Sequence, residues 1–220
     1  MTTSEFAATI EHTDLRATVT IHDIDKLVAD AKEFGFYGVC VPPFWVKRAK
    51  RELGAASVRL VTVAGFPLGY QLTETKLDDI ARVLDHGADE VDVVMNISAF
   101  KTGLPWTKVE LAKCSKLVHD HQGLLKVIIE TAYLTHEEIV RACRLAADAG
   151  ADFVKTSTGF ASHGARADHV RLMRASVPAG VGVKASGGIK TRAQAEAMLA
   201  AGANRIGTSS GVAILQNLSS

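Results

Sequence analysis

Short apolar stretches rich in β-branched residues alternate along the chain with longer stretches whose apolar residues recur every three or four positions. The first pattern predicts buried strands and the second predicts amphipathic helices. Eight strands are predicted, over residues 8–13, 37–41, 59–66, 90–96, 124–130, 153–157, 181–185 and 204–208. Regular alternation of strand and helix is typical of a parallel sheet with helical crossovers. Eight such units in a chain of 220 residues predict a single α/β domain over residues 1–220, a (β/α)8 TIM barrel.

The predicted helices carry start signals of their own. Thr135 and Glu138 form a capping-box pattern before one helix, and Thr191 and Gln194 form a second. Thr73 is predicted to cap the helix that precedes the fourth strand. These signals place helices in the gaps between the strands, as a barrel requires.

A repeat links the even-numbered strands. The glycines Gly35, Gly87, Gly150 and Gly202 each end a predicted helix, and the residues five positions later are Cys40, Asp92, Lys155 and Gly207. These four residues lie on the second, fourth, sixth and eighth strands, and alternate strands supply one layer of a barrel interior. We therefore predict that Asp92 and Lys155 point into the same barrel. Packing alone explains the glycines, but it does not require an aspartate and a lysine in the shared position.

Lys155 and Lys184 each lie inside an apolar strand, where a charged amine is rarely buried without a partner. Two lysines that face one interior repel each other, and both are desolvated, so the neutral amine is favoured. A neutral amine is the form that attacks a carbonyl to give a Schiff base, and Asp92 supplies a carboxylate to move protons. The alternatives are a solvated edge-strand lysine or a structural Asp–Lys pair. We favour a catalytic site, because buried ionisable groups gather at functional sites.

Turns of small residues follow the sixth, seventh and eighth strands. They are Ser-Thr-Gly at 157–159, Ser-Gly-Gly at 186–188 and Gly-Thr-Ser-Ser-Gly at 207–211. Their backbone N–H groups and hydroxyls suit phosphate oxygens, and turns after the last strands of a TIM barrel commonly bind phosphate. The predicted phosphate-binding residues are Gly159, Gly187, Gly188, Gly207, Ser209 and Ser210.

Composition excludes several other classes of protein. The net charge is +1 and no basic stripe stands out, which argues against a nucleic-acid partner. No apolar run reaches bilayer length and no signal peptide is present, which argues against a membrane partner. The three cysteines are far apart and suit a reducing cytoplasm. The eight histidines and the carboxylates show no metal-ligand pattern, so no metal site is predicted.

Three segments resemble signature strands of the deoxyribose-phosphate aldolase family: Val-Asp-Val-Val-Met-Asn at 91–96, Lys-Thr-Ser-Thr-Gly-Phe at 155–160 and Val-Lys-Ala-Ser-Gly-Gly at 183–188. Residues 63–69 and 130–131 also match, so the resemblance spans nearly the whole chain. It implies a class I aldolase without metal or cofactor on a (β/α)8 barrel. Such an enzyme reversibly cleaves 2-deoxy-D-ribose 5-phosphate into acetaldehyde and D-glyceraldehyde 3-phosphate, in deoxynucleoside catabolism.

Matched by motif, the resemblance makes Lys155 the Schiff-base lysine, Lys184 the second lysine that tunes it, and Asp92 the proton-relay acid. The six glycines and serines named above match the phosphate-binding turns. The expected partners are therefore small phosphosugars and aldehydes, and we expect a homo-oligomer, a dimer or a tetramer.

Two departures from the family pattern stand out. Phe160 follows the Ser-Thr-Gly turn where some members carry a lysine, so the phosphate would be met by backbone groups, with Lys190. Residues 218–220 are Leu-Ser-Ser, so no tail tyrosine is expected to reach the site.

Two rival functions stay open: a phosphosugar isomerase or epimerase that uses lysine and aspartate only for acid–base work, and a non-catalytic phosphometabolite-binding barrel.

Overall fold

The computed structural model describes residues 1–216. Its eight strands are β1 (Ile10–Thr13), β2 (Gly38–Val41), β3 (Arg59–Ala64), β4 (Glu90–Val94), β5 (Leu124–Ile128), β6 (Phe153–Lys155), β7 (Gly182–Ser186) and β8 (Arg205–Thr208). Each pairs in parallel with its neighbour in chain order, and β1 also pairs with β8, so the sheet closes into a barrel. The predicted single-domain (β/α)8 TIM barrel is confirmed. Most of the strands are one to two residues shorter than predicted, because their first or last predicted residues lie in the connecting loops.

Helices cover the outside of the barrel. They are α1 (Thr3–Ala7), α2 (Ile21–Phe34), α3 (Val46–Leu53), α4 (Thr73–Asp85), α5 (Ile97–Lys101), α6 (Trp106–Asp120), α7 (His136–Asp148), α8 (Ala167–Ser176), α9 (Arg192–Ala200) and α10 (Gly211–Leu215). Two turns of 3-10 helix, Pro43–Trp45 and Thr131–Tyr133, follow β2 and β5. Across residues 1–216, none of the helices has the length and apolar character needed to cross a membrane.

Both predicted capping boxes are present. The Thr135 hydroxyl accepts the N–H of Glu138, and the Glu138 carboxylate accepts the N–H of Thr135 at 2.9 Å, so two otherwise unpaired donors of α7 are satisfied. Thr191 and Gln194 form the same reciprocal pair at the start of α9.

The prediction that Thr73 caps α4 is wrong. Leu72 occupies the cap position and makes no side-chain cap, and Thr73 is the first residue of the helix. The Thr73 hydroxyl instead donates to Glu110 on α6 at 3.0 Å. Glu110 also accepts a hydrogen bond from the buried Lys76 at 2.6 Å. A buried ion pair needs every oxygen satisfied, and Thr73 supplies one of those bonds.

The two faces of each strand have different roles. Outward side chains such as Val91, Val127, Val154 and Val183 are fully buried against the helices and belong to the main hydrophobic core. Inside the barrel, Cys40, Val61 and Val63 form a small apolar cluster. The interior also holds a group of charged residues, which includes the predicted catalytic residues. The prediction that no tail tyrosine reaches the site concerns residues 218–220, which lie outside the described residues.

Candidate active site

The shared register predicted from the glycine repeat is present in the barrel. Asp92 and Lys155 both point inward, and the Lys155 side-chain nitrogen donates to Asp92 Oδ2 at 2.8 Å. Lys184 lies beside Lys155, since the two residues are paired in register across β6 and β7. Its ammonium donates to the same oxygen of Asp92 at 2.7 Å. The three predicted catalytic residues therefore form one hydrogen-bonded group.

Asp92 is fully buried at the centre of this group. Burial raises the pKa of its carboxyl, but the charges of Lys126, Lys155 and Lys184 outweigh burial and hold the pKa well below its usual value. Asp92 is therefore a carboxylate throughout the neutral range. A carboxylate fixed between amines can receive and return a proton at a reacting nitrogen.

Sequence reasoning missed a third interior lysine. Lys126 on β5 is paired in register with Asp92 on β4, and its ammonium donates to Asp92 Oδ1 at 2.9 Å. It also contacts Glu90, and Glu11 Oε1 lies 3.5 Å from its nitrogen. Lys126 stands between apolar residues of a strand, as Lys155 and Lys184 do, so the same signal was available. It was missed because Lys126 lies outside both the glycine repeat and the three signature segments.

Two further carboxylates complete the cluster. Glu11 on β1 contacts Lys184, and Glu90 on β4 lies two residues before Asp92 on the same face of the strand. Burial raises the pKa of Glu11, but Lys126 and Lys184 outweigh it, and the pKa of Glu11 is lowered. Alternation along the strands places both side chains on the inward face, but it does not show which lysines they meet.

The two lysines that hold several carboxylates keep their charge. Burial lowers the pKa of Lys184, but Asp92 and Glu11 outweigh it, so the pKa is raised. Burial likewise opposes the charge on Lys126, but Asp92, Glu11 and Glu90 raise its pKa well above the usual value. Lys155 therefore has two charged ammonium groups as neighbours around Asp92.

A cavity of about 870 Å³ opens above this cluster at the carboxyl ends of the strands. Lys155 is the one catalytic candidate that lines it; Asp92 and Lys184 do not. The cavity is also lined by all six predicted phosphate-binding residues, together with Phe160 and Lys190: Gly159, Gly187, Gly188, Gly207, Ser209 and Ser210. The structure therefore brings every predicted site residue to one place.

The turns around the cavity need glycine. Gly159, Gly187 and Gly188 have φ of 90°, 87° and 74°, a region that side chains rarely adopt. Among residues 1–216, no protein acceptor is found for the backbone N–H groups of these three glycines or of Ser209. Unpaired N–H groups that converge on a cavity suit the oxygens of an anion.

Hydrogen bonds fix the position of these turns. The Ser186 N–H donates to the Thr156 hydroxyl at 3.1 Å, and the Ser186 hydroxyl donates to the Ser157 carbonyl at 2.6 Å. The Thr158 N–H donates to Glu130 at 3.0 Å. The ends of β6 and β7 are thus joined, so the floor and rim of the cavity are held in one geometry.

The structure also shows the surroundings of Cys40 and of two histidines outside the catalytic group. Cys40 is fully buried, and burial raises the pKa of its thiol to about 11, so it is a core residue and not a thiolate nucleophile. His136 and His169, which show no metal-ligand pattern in the sequence, lie near Asp168 in the structure. With Asp168, these residues offer ligand atoms that lie within 4.8 Å of one another.

Comparison with known proteins gives a consistent result. Residues 5–217 match the family model of DeoC/LacD family aldolases. The chain is 51% identical over 215 residues to a deoxyribose-phosphate aldolase of Thermococcus gammatolerans, covering 96% of each chain. It is 49% identical over 215 residues to one of Bacillus cereus, covering 96% of this chain and 95% of that one.

A solved structure described as a unique tetrameric structure of the deoxyribose phosphate aldolase from Aeropyrum pernix superposes with a TM-score of 0.92, at 33% identity, covering 98% of this chain and 91% of that one. The predicted enzyme class, a carbon–carbon lyase of the deoxyribose-phosphate aldolase type, is confirmed by these relatives. The chain belongs to the DeoC/LacD family of aldolases.

Proposed function

We propose that this enzyme reversibly cleaves 2-deoxy-D-ribose 5-phosphate into acetaldehyde and D-glyceraldehyde 3-phosphate through a Schiff base on Lys155. One observation carries the assignment of the nucleophile. Of the three interior lysines in the described chain, only Lys155 lines the cavity, and it contacts only one carboxylate. Lys126 and Lys184 each contact at least two. Lys155 therefore loses the fewest ion-pair contacts when it moves away from Asp92, and it is the interior lysine that substrate in the cavity reaches.

The charges of the cluster support a neutral Lys155. Three carboxylates, those of Glu11, Glu90 and Asp92, face three lysines, and Arg205 adds a cation 3.5 Å from Glu11. When Lys126, Lys184 and Arg205 carry the positive charge, they balance the three carboxylates. A neutral Lys155 then leaves the cluster without net charge, which a poorly solvated site favours.

In the cleavage direction, the Lys155 amine attacks the aldehyde carbon of the open-chain sugar, and loss of water gives an iminium ion. The iminium draws the electron pair of the bond between the second and third sugar carbons, while the hydroxyl on the third carbon loses its proton. D-glyceraldehyde 3-phosphate leaves, and an enamine stays on Lys155. Protonation of the enamine and hydrolysis of the imine release acetaldehyde and restore the amine.

Asp92 and Lys184 serve the proton transfers in this proposal. Asp92 Oδ2 lies 2.8 Å from the Lys155 nitrogen, so it accepts and returns protons as the imine forms and breaks. Asp92 does not line the cavity. In this proposal it therefore exchanges protons with the sugar hydroxyl through Lys184 and a water molecule. The charge on Lys184 also disfavours a second charge on Lys155.

The substrate phosphate is assigned to the turns after β6, β7 and β8. The unpaired N–H groups of Gly159, Gly187, Gly188 and Ser209 supply donors, and Lys190 supplies a cation at the rim. Gly207 lets the chain approach closely, because a side chain there would lie 3.0 Å from Lys184 and Ser186.

We also propose that the enzyme works in the cytoplasm, in deoxynucleoside catabolism, and as a homo-oligomer. The three cysteines are buried and free, as a reducing compartment favours. Tyr70, Leu72 and Trp106 are each at least 65% exposed and line one hollow, and large exposed apolar side chains grouped in this way support an interface. The tetrameric relative supports the same conclusion.

Borohydride reduction in the presence of acetaldehyde tests the mechanism. Only an imine is reduced onto the protein, so peptide mass spectrometry should find an added ethyl group on Lys155. Lys155→Ala should abolish both the adduct and turnover, whereas Lys190→Ala, a change to another cavity lysine, should still be trapped at Lys155. An adduct on a different lysine contradicts the assignment, and turnover without any adduct indicates acid–base chemistry of the isomerase type.

A further inference from the structure

A second cluster of chemically active side chains lies away from the cavity, where α7 and α8 begin. His136 is the first residue of α7, and Asp168 and His169 lie in the first turn of α8. One potential ligand atom from each lies within 4.8 Å of the others. Neighbouring helices of a barrel bring these residues together although they are far apart in sequence.

His169 provides an independent indication of a ligand. Its side chain is 6% exposed, and its Nδ1 atom has no hydrogen-bond partner among the described residues. A buried polar atom left without a partner is destabilising, so such atoms are uncommon in folded proteins. The His136 and His169 rings meet edge to face, with centroids 5.6 Å apart. A bound ion would give the imidazole nitrogens a partner.

The donor set of the cluster suits a divalent transition metal. His136 and His169 offer two imidazoles and Asp168 offers one carboxylate, on side chains that converge where two neighbouring helices begin. Imidazole and carboxylate groups are ligands that zinc and the neighbouring divalent metals bind.

We infer that His136, Asp168 and His169 form a binding site for one divalent transition-metal ion, which ties the start of α7 to the start of α8. The ligand atoms of a tetrahedral zinc ion lie about 3.3 Å apart, so the site closes by up to about 1.5 Å when it binds. His136 is exposed and can rotate to do so. Asp168 pairs with the exposed Arg166 at 3.1 Å and can exchange one of those contacts for the ion.

The site is separate from the aldolase chemistry. None of the three residues lines the cavity that holds Lys155. The ion therefore stabilises the junction of two helices and takes no part in imine formation, so metal binding and turnover are measured independently.

Calorimetric titration of metal-depleted enzyme with zinc chloride, together with thermal unfolding, tests the inference. The wild type should bind one zinc ion per chain and show a higher Tm with zinc. His136→Gln and Asp168→Asn should each weaken zinc binding at least about tenfold, since each removes a ligand. His22→Gln, a change to an exposed histidine on α2, should bind zinc as the wild type does. His136 is exposed, so its variant should fold even if a change at buried His169 does not.

Cobalt substitution adds a readout of the geometry. Cobalt(II) bound by two imidazoles and a carboxylate should give visible absorption bands in the wild type that are lost in His136→Gln. The inference is overturned if the wild type binds no zinc, or if the two ligand variants and the His22 variant bind it equally well.

Discussion

Lys155 and Lys184 are paired in register on adjacent strands, and both donate to the same oxygen of Asp92, at 2.8 and 2.7 Å. Two amines that share one carboxylate oxygen cannot both be charged without strong repulsion. At about 5 Å and an effective dielectric near 20, two unit charges interact by roughly 3 kcal/mol. Glu11 gives Lys184 a second carboxylate and Lys155 none, so the arrangement favours the charge on Lys184.

This asymmetry predicts distinct effects for two changes at Lys184. Lys184→Leu removes the positive charge and leaves Glu11 and Asp92 less compensated, so more of Lys155 should stay protonated. Turnover at neutral pH should fall roughly a hundredfold and recover in part in alkaline buffer. Lys184→Arg keeps the charge, so its pH profile should shift less even if its rate is low. The measurement is turnover and imine trapping against pH. An equal loss at every pH would show that Lys184 acts as a direct proton donor or substrate ligand.

Lys126 predicts a stability effect. Its ammonium is fully buried among Glu11, Glu90 and Asp92. Lys126→Met should lower the free energy of unfolding by about 3–5 kcal/mol, because it leaves buried carboxylates unpaired. Denaturant unfolding measures this. Adding Glu90→Gln should restore part of the loss, whereas Lys116→Met at an exposed position should leave stability unchanged. A Lys126→Met protein as stable as the wild type would contradict the cluster described above.

The shared strand position predicted Asp92 and Lys155, but the sequence alone did not reveal their partners. Periodicity determines which way a strand residue points, and the glycine repeat gave one layer of the barrel, which is why Asp92 and Lys155 were placed together. Glu11 reaches Lys184 only because β1 closes against β8, a contact between the two ends of the chain. His136 and His169 meet through the packing of neighbouring helices, which leaves no local pattern. Barrel closure and helix packing are tertiary effects, and the spacing of residues along one sequence does not show them.

The carboxylates of the cluster predict loss of stability in acid. The pKa values of Asp92 and Glu11 are lowered in the folded enzyme from 3.8 and 4.5. Their contribution is therefore complete above the unfolded values and is lost as the pH falls through the folded ones. The free energy of unfolding should decrease progressively below about pH 4.5. Glu11→Gln should be less stable at neutral pH and lose less on acidification, and the exposed Glu33→Gln should follow the wild type. Parallel curves for Glu11→Gln and wild type would refute this account.

The apolar surface formed by Tyr70, Leu72 and Trp106 predicts an interface between copies of the chain. Trp106→Glu places a charge on that surface and should shift the enzyme toward the monomer in light scattering, because burying an unpaired charge is costly. Phe44→Glu changes another highly exposed aromatic residue, which follows β2, and should leave the assembly intact. A wild-type monomer, or a Trp106→Glu protein that assembles as the wild type does, would count against this interface.

Phe160 predicts how strongly the enzyme prefers phosphorylated sugars. Its ring is 56% exposed at the rim of the cavity and packs edge-on against Phe66, with centroids 5.4 Å apart. Phe160→Lys adds a cation near the proposed phosphate site without touching the imine chemistry. An exposed ion pair contributes up to about 1 kcal/mol, so the ratio of kcat/KM for 2-deoxyribose 5-phosphate to that for 2-deoxyribose should rise roughly two- to fivefold. The gain should shrink at high salt, because exposed charges are screened.

Phe160→Met is the control for this prediction. It removes the same aromatic contact without adding charge, so it separates the effect of the charge from the effect of losing the Phe66 contact. If both variants change the ratio equally, loss of the Phe66 contact is the cause, and the phosphate does not lie beside residue 160.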